Sequence, residues 1–172
     1  MIKKIKRYKK NYKFYVDELS NFRTVFKDTN NKILTACQED YNCMSYAFNI
    51  FNDWLCIDAF HSSYTQRSYG AIDYDYLEDI FEECCIELEE RFTIRRLSGP
   101  TSEIHENERM IAFRIGMDDF HFARRNSDGI WTHKPGAKTI REMSEEELLS
   151  DAWSVNREYP YISSIAFFPV TV

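Results

Sequence analysis

The sequence has no long apolar run and little glycine or proline. No stretch approaches the roughly 20 apolar residues that a membrane-spanning helix needs, so we expect no transmembrane segment. Five glycines and four prolines among 172 residues, set against 13 phenylalanines and 11 tyrosines, exclude a disordered chain. The basic N-terminus lacks the apolar core of a signal peptide, so we expect a cytoplasmic protein.

A cysteine pattern typical of disulfide bonds is also missing. The five cysteines form an odd number, and the adjacent pair Cys84 and Cys85 is a poor start for a disulfide framework. No cysteines or histidines cluster at zinc-ligand spacing, so we expect no metal site. This usage favours a reducing compartment.

Positive charge is concentrated at one end. Residues 1–13 carry seven cations and no acid, so a chain of net charge −6 has −13 on the remainder. Such an arm can bind nucleic acid or an anionic membrane surface weakly, or it can fold back on its own acidic body. The acidic body argues against duplex nucleic acid as the main partner.

No internal repeat or linker divides the chain. We therefore predict a basic N-terminal extension over residues 1–35 and one main domain over residues 36–172. Helices are predicted within 14–26, from Cys43 to Trp54 after an Asn42 cap, over 75–91, and from Ser144 onward in a capping box with Glu147. In the helix over 75–91, Cys84 is expected in the core and Cys85 at its edge.

The second half of the chain carries most of the strand signals. We predict strands over 93–97, 110–115, 120–124, 129–133 and 162–172. Asp128 and Gly129 predict a tight hairpin between the third and fourth of these. Helices followed by antiparallel strands indicate an α+β fold.

Three residues combine into a candidate catalytic site. Cys43 begins a predicted helix, where unpaired N–H groups favour a thiolate, and His121 on a hairpin strand is a candidate base. His133 on the next strand is the first candidate to orient that base, with Asn126 and Asp128 as weaker ones. A lone cysteine before a helix is, however, more often a core residue than a nucleophile.

Other residues near the candidate site also carry predictions. The Cys43 backbone N–H, with the side chain of Gln38, Tyr41 or Asn42, is a candidate oxyanion hole. In the hairpin, Trp131 is expected in the core, and the segment 134–136 is expected to be a turn. Arg124 and Arg125 are either substrate-binding cations or solvated charges on a strand edge.

These motifs resemble a known family. The segment 41–48 (YNCMSYAF) is similar to the nucleophile segment of papain-like cysteine peptidases of the NlpC type. The segments 119–124 (DFHFAR) and 128–136 (DGIWTHKPG) resemble the histidine hairpin of divergent bacterial and phage-borne members. The resemblance implies a papain-like α+β fold with the nucleophile helix packed on an antiparallel sheet. It also implies Cys43 as nucleophile, His121 as base and His133 as third residue.

Two functions follow as hypotheses. The first is a thiol hydrolase that cleaves an amide, isopeptide or related acyl bond in a peptide, protein or acyl-amide substrate, without a cofactor. It would act in the cytoplasm, including a host cytoplasm if the chain is phage-encoded. The second is a non-enzymatic protein-binding inhibitor or immunity-type factor on the same scaffold, whose many aromatic residues serve an interface.

Overall fold

The computed structural model describes residues 41–50, 53–63, 74–136, 140–154 and 160–171 in full and, before them, only the strands of a small sheet. That sheet has antiparallel strands in the order β1-β2-β3: β1 (Lys13–Val16), β2 (Thr24–Lys27) and β3 (Ile33–Thr35). The predicted helix within 14–26 is therefore wrong. Its aromatic and β-branched residues suit strands as well as they suit a helix face. Residues 1–12 lie outside the described part of the chain.

Among the residues that the structure describes, the main body is a five-stranded antiparallel sheet with four helices. The helices are α1 (Cys43–Ala47), α2 (Asp58–Ser62), α3 (Tyr74–Phe92) and α4 (Glu145–Leu148). The strands are β4 (Glu108–Ile115), β5 (Phe120–Arg125), β6 (Trp131–His133), β7 (Arg141–Met143) and β8 (Ala166–Thr171). Their order across the sheet is β7-β6-β5-β4-β8. This is the predicted α+β class.

Both faces of this sheet are covered. On what we call the first face, Phe113, Phe122 and Phe168 pack with α1 and α3 in the larger apolar cluster. On the second face, Ala112 and Ala123 pack with residues after β6 and before β8 in a smaller cluster. Successive strand residues point to opposite faces, so a strand covered on both sides is apolar throughout. The run Met110 to Ile115 in β4 is buried throughout and apolar except for Arg114.

Helix α3 agrees with the predicted helix over 75–91. Its buried residues follow the helical repeat, and Phe81 stacks on Phe113 of β4 with ring centroids 5.6 Å apart. Cys84 is buried in the core, as predicted. Cys85 is buried as well and does not lie at the edge.

Helix α1 is shorter than predicted. It begins at Cys43 after the Asn42 cap, as expected, but it ends at Ala47 rather than near Trp54. Asn49 adopts a left-handed conformation with φ of 61°, which is typical of the residue that follows a helix end. The residues that follow can then turn back, and the amide of Ile50 binds the Ser45 carbonyl.

Three other predictions need correction. The last strand, predicted over 162–172, begins only at Ala166. Residues 93–97 are not a strand, since only Leu97 pairs, with Phe167. The capping box of Ser144 and Glu147 is present, but α4 ends at Leu148, so Trp153 reaches the core from the loop that follows. The hairpin at Asp128 and Gly129 is confirmed, with Gly129 at a positive φ of 83°.

Within the described part of the chain, the helices are too short or too polar to cross a lipid bilayer. Four of the five cysteines lie in that part, and all four are free thiols: Cys43, Cys56, Cys84 and Cys85.

Candidate functional site

Cys43 is the first residue of α1, and its place is set by the cap before it. The Asn42 side-chain oxygen accepts the backbone N–H of Ser45 at 3.0 Å, and its amide nitrogen donates to the Leu55 carbonyl at 2.6 Å. The cap therefore ties the start of α1 to the chain that returns beside it. The Asn42 side chain, predicted as an oxyanion-hole candidate, serves this structural purpose.

The thiol of Cys43 lies at an open edge of β5. The ladder between β5 and β6 runs from Arg125 and Trp131 to Ala123 and His133, so it stops short of the first residues of β5. There the Cys43 Sγ donates a hydrogen bond to the Phe120 carbonyl at 3.7 Å. Phe120 is the residue immediately before His121.

Cys43 is a protonated thiol in this environment. Burial and, after it, the negative charge of Asp119 together raise the pKa of Cys43 from 9.0 to about 12. Backbone hydrogen bonds at Phe122 and Met44 and the charge of Lys134 act in the opposite direction. A thiol that stays protonated at neutral pH is a nucleophile only if a base takes its proton.

His121 and His133 contact each other directly. Nε2 of His121 lies 2.9 Å from Nδ1 of His133, and the two rings are nearly perpendicular at 89°. His133 is the cross-strand partner of Ala123, two residues along β5, so both histidines lie on the second face. The sequence does not decide to which face of the hairpin His133 points. The strand register places it on the second face, together with His121.

Aromatic rings hold His121 in place. Its imidazole stacks on Tyr161 with centroids 5.2 Å apart and an interplanar angle of 25°, and it meets the edge of Trp153. The Tyr161 hydroxyl donates to a carboxylate oxygen of Asp119 at 3.0 Å. The His121 ring therefore packs between β5 and the segment that precedes β8.

His133 is neutral at physiological pH. Burial and, after it, the positive charge of Arg141 lower the pKa of His133 from 6.5 to about 4, and the charge of Glu147 acts in the opposite direction. A neutral imidazole has one donor and one acceptor nitrogen. When Nδ1 of His133 accepts from His121, the His121 Nε2 carries a hydrogen and its Nδ1 is left as the basic nitrogen.

Of the three predicted catalytic residues, the structure joins two. His121 and His133 share a hydrogen bond on the second face. Cys43 packs with the first-face cluster, and its thiol binds the Phe120 carbonyl rather than an imidazole. The thiol and the His121 ring therefore approach β5 from opposite faces, at adjacent residues beside its open edge.

The alternatives to His133 are engaged elsewhere. The Asn126 side-chain oxygen accepts hydrogen bonds from Arg124 and Thr132. Asp128 accepts the backbone N–H of Ile130 and so closes the hairpin turn. These contacts favour His133 as the third residue.

Two oxyanion-hole candidates remain. Gln38 lies outside the described residues. Tyr41 is buried two residues before Cys43, and the ammonium of Lys134 lies 4.7 Å from the centre of its ring.

Arg124 was expected to be either solvated or substrate-binding, and it is neither. It is fully buried, and its guanidinium lies over the Tyr46 ring and donates to the Tyr46 carbonyl and to Asn49. Tyr46 in turn shares a hydrogen bond with Thr132 of β6 at 2.6 Å. These contacts fix the end of α1 to the hairpin. Arg125 is exposed, as a solvated strand charge is.

Sequence reasoning missed two parts of the site. Lys134, assigned to a turn, is fully buried. Tyr161 and Trp153, which contact His121, carry no motif that marks them. An apolar aromatic pattern flanking β8 was the only available signal. Trp131, predicted as a core residue, is buried in the second cluster.

Comparison with known proteins adds nothing to this description, since no family model, no curated protein and no solved structure matches the chain. The described residues contain no group of three histidine, cysteine or acidic side chains arranged to hold a metal ion.

Proposed function

We propose that this protein is a papain-like thiol hydrolase of the NlpC type that cleaves an amide, isopeptide or related acyl bond. One observation carries the proposal. The Cys43 thiol binds the carbonyl of Phe120, the residue immediately before His121, and His121 in turn shares a hydrogen bond with His133. The resemblance of segments 41–48 and 119–136 to that family supports the same roles.

The reaction follows from these roles. In this scheme the Cys43 thiol exchanges its hydrogen bond to the Phe120 carbonyl for one to His121, which takes its proton, and the thiolate attacks the substrate carbonyl carbon. The amine leaves with the proton from His121, and a thioester remains on Cys43. Water, activated by His121, then hydrolyses the thioester and restores the thiol. His133 stays neutral and holds the imidazole in one tautomer throughout.

The substrate is a peptide, a protein or another acyl amide. The backbone N–H of Cys43 is the oxyanion donor in this scheme, with Tyr41 beside it. The proposed setting is a reducing compartment such as the cytoplasm, because the cysteines in the described part of the chain are free thiols and a nucleophilic thiol has to stay reduced.

Small peptide anilides, isopeptides and thioesters test this proposal. We expect turnover of at least one class by the full chain, and a thioester-linked acyl adduct on Cys43 by mass spectrometry. Cys43→Ser and His121→Ala should abolish turnover while remaining folded. Cys56→Ser is the matched control, because Cys56 is an exposed free thiol.

Two results would contradict the hydrolase. One is turnover by Cys43→Ser at the wild-type rate. The other is a Cys43 that reacts with iodoacetamide only when the protein unfolds, while Cys56 reacts in the folded state.

The second candidate, a non-enzymatic protein-binding factor, also has an observation in its favour. Cys43 is only 5% exposed, and its raised pKa is that of an inert core thiol. Large apolar side chains are exposed as well, including Trp54 at 48% and Tyr74 at 54%. A protein of this kind would keep its partner affinity in Cys43→Ser, whereas the hydrolase would lose turnover.

A further inference from the structure

Lys134 is a buried cation near the proposed site. The roles proposed for the three catalytic residues do not account for its burial. It follows His133 directly and points to the opposite face of the sheet, toward α1. Its side chain is fully buried, a rare state for lysine unless other groups compensate the charge. The ammonium is therefore held for a reason beyond ending the strand.

Two contacts fix the position of this ammonium. Its nitrogen lies 4.7 Å from the centre of the Tyr41 ring, within the distance of a cation–π interaction. It also donates a hydrogen bond to the Gly136 carbonyl. Tyr41 precedes Cys43 by two residues, so the cation is attached to the segment that begins the nucleophile helix.

Charges of both signs face the Cys43 thiol. Asp119 precedes β5 and disfavours the thiolate, whereas Lys134 favours it. His121 is the proposed proton acceptor. When the proton leaves Sγ, the S–H bond breaks, an N–H bond forms on His121, and Sγ gains a negative charge. A fixed cation nearby stabilises that charge without exchanging a proton.

We propose that Lys134 is a positioning residue of the Cys43 site, which holds Tyr41 in place and supplies the positive charge that stabilises the Cys43 thiolate. This inference rests on the proposed function. It assigns to Lys134 a positive charge that acts against the larger, opposing effect of Asp119.

The test is the pH dependence of alkylation of Cys43 in the folded full chain. Iodoacetamide labelling between pH 5 and 10, with peptide mass mapping, gives separate rates for Cys43 and for the exposed Cys56 as an internal reference. Lys134→Met should lower the Cys43 rate about tenfold near pH 7.5 and move its profile upward by about one pH unit. Lys134→Arg should restore most of the rate because it keeps the charge.

Asp119→Asn provides the opposite change. Removing this negative charge should move the Cys43 profile to lower pH, while the rate of Cys56 stays constant in all variants. A merely structural Lys134 would not produce opposite shifts for the two charges. Should Lys134→Met fail to fold in a melting experiment, Lys134→Gln, which also removes the charge but keeps a polar end, replaces it with the same expected shift.

The failures are distinguishable. If wild-type Cys43 reacts in the folded state but Lys134→Met leaves its profile unchanged, the assignment of Lys134 is overturned and the hydrolase stands. If wild-type Cys43 does not react until the protein unfolds, the proposed function fails, and the assignment of Lys134 fails with it.

Discussion

Nε2 of His121 lies 2.9 Å from Nδ1 of His133, which makes His133 a hydrogen-bond partner of the proposed base. The contact arises because β5 and β6 pair with Ala123 opposite His133, so the two imidazoles are diagonal neighbours on one face. A partner of this kind fixes both the rotamer and the tautomer of the base.

The first prediction concerns that partner. We expect His133→Ala to lower turnover by between about 10-fold and 10⁴-fold, because the His121 ring can then rotate and adopt the wrong tautomer. His121→Ala should lose turnover completely. The rates of hydrolysis of the best small acyl substrate provide the measurement, and His61→Ala, an exposed histidine, is the control. Wild-type turnover in His133→Ala would remove His133 from the site.

The second prediction concerns stability against acid. Burial lowers the pKa of His133 from 6.5 to about 4. Between these values the unfolded chain binds a proton that the folded chain does not, so unfolding becomes easier as the pH falls through this window. The full effect is about 3 kcal/mol, reached near pH 4 and absent above pH 7.

His133→Gln should flatten the stability profile between pH 6.5 and 4. Urea unfolding at a series of pH values measures it. Glu108 acts in a lower window, because hydrogen bonds from Arg95 lower its pKa to about 2, so its loss begins near pH 4.5. If His133→Gln keeps the wild-type slope between pH 6.5 and 4.5, His133 is not the buried neutral group described here.

Local signals were sufficient to predict part of this fold. Asp128 and Gly129 require a tight turn whatever surrounds them, and the apolar repeat of α3 has one consistent reading. The segment 14–26 shows the opposite case. Alternating and helical apolar patterns overlap in so short a stretch, and pairing between β1 and β2 decides the outcome.

The site was only partly predictable for a related reason. The residue types of Cys43, His121 and His133 indicate chemistry, but the face on which each lies depends on strand register, which the sequence does not specify. Lys134 shows the same limit. Its sequence context indicates a turn, and only packing against Tyr41 reveals a buried cation.

The third prediction concerns the ring that supports His121. Tyr161→Phe loses the hydrogen bond to Asp119 but keeps the stacked ring, so we expect a cost of about 1 kcal/mol in unfolding free energy. Tyr161→Leu loses the stacking as well. We expect it to cost about 2–3 kcal/mol in unfolding free energy and to lower the reactivity of Cys43. Denaturant unfolding and iodoacetamide labelling measure both. Equal costs for the two variants would show that stacking on His121 contributes nothing.

The last prediction concerns the glycine that brings Tyr161 to the site. A Cβ added at Gly116 would lie 2.7 Å from the Pro160 carbonyl oxygen, a backbone atom that cannot move aside cheaply. Gly116 also bridges to Tyr161, and the amides of Ile162 and Ser163 bind the carbonyl of Ile115. Gly116→Ala should therefore cost about 1–3 kcal/mol in unfolding free energy, because the close approach of these two segments has to widen. Gly99→Ala is the matched control, since an added Cβ there meets nothing within 4 Å, and it should change stability by less than about 0.5 kcal/mol. Urea unfolding of the two variants measures the difference.

In folded Gly116→Ala we also expect slower labelling of Cys43, because displacing Tyr161 releases the His121 ring. If the two variants are equally stable, the contact between Gly116 and Pro160 does not hold the loop against the site.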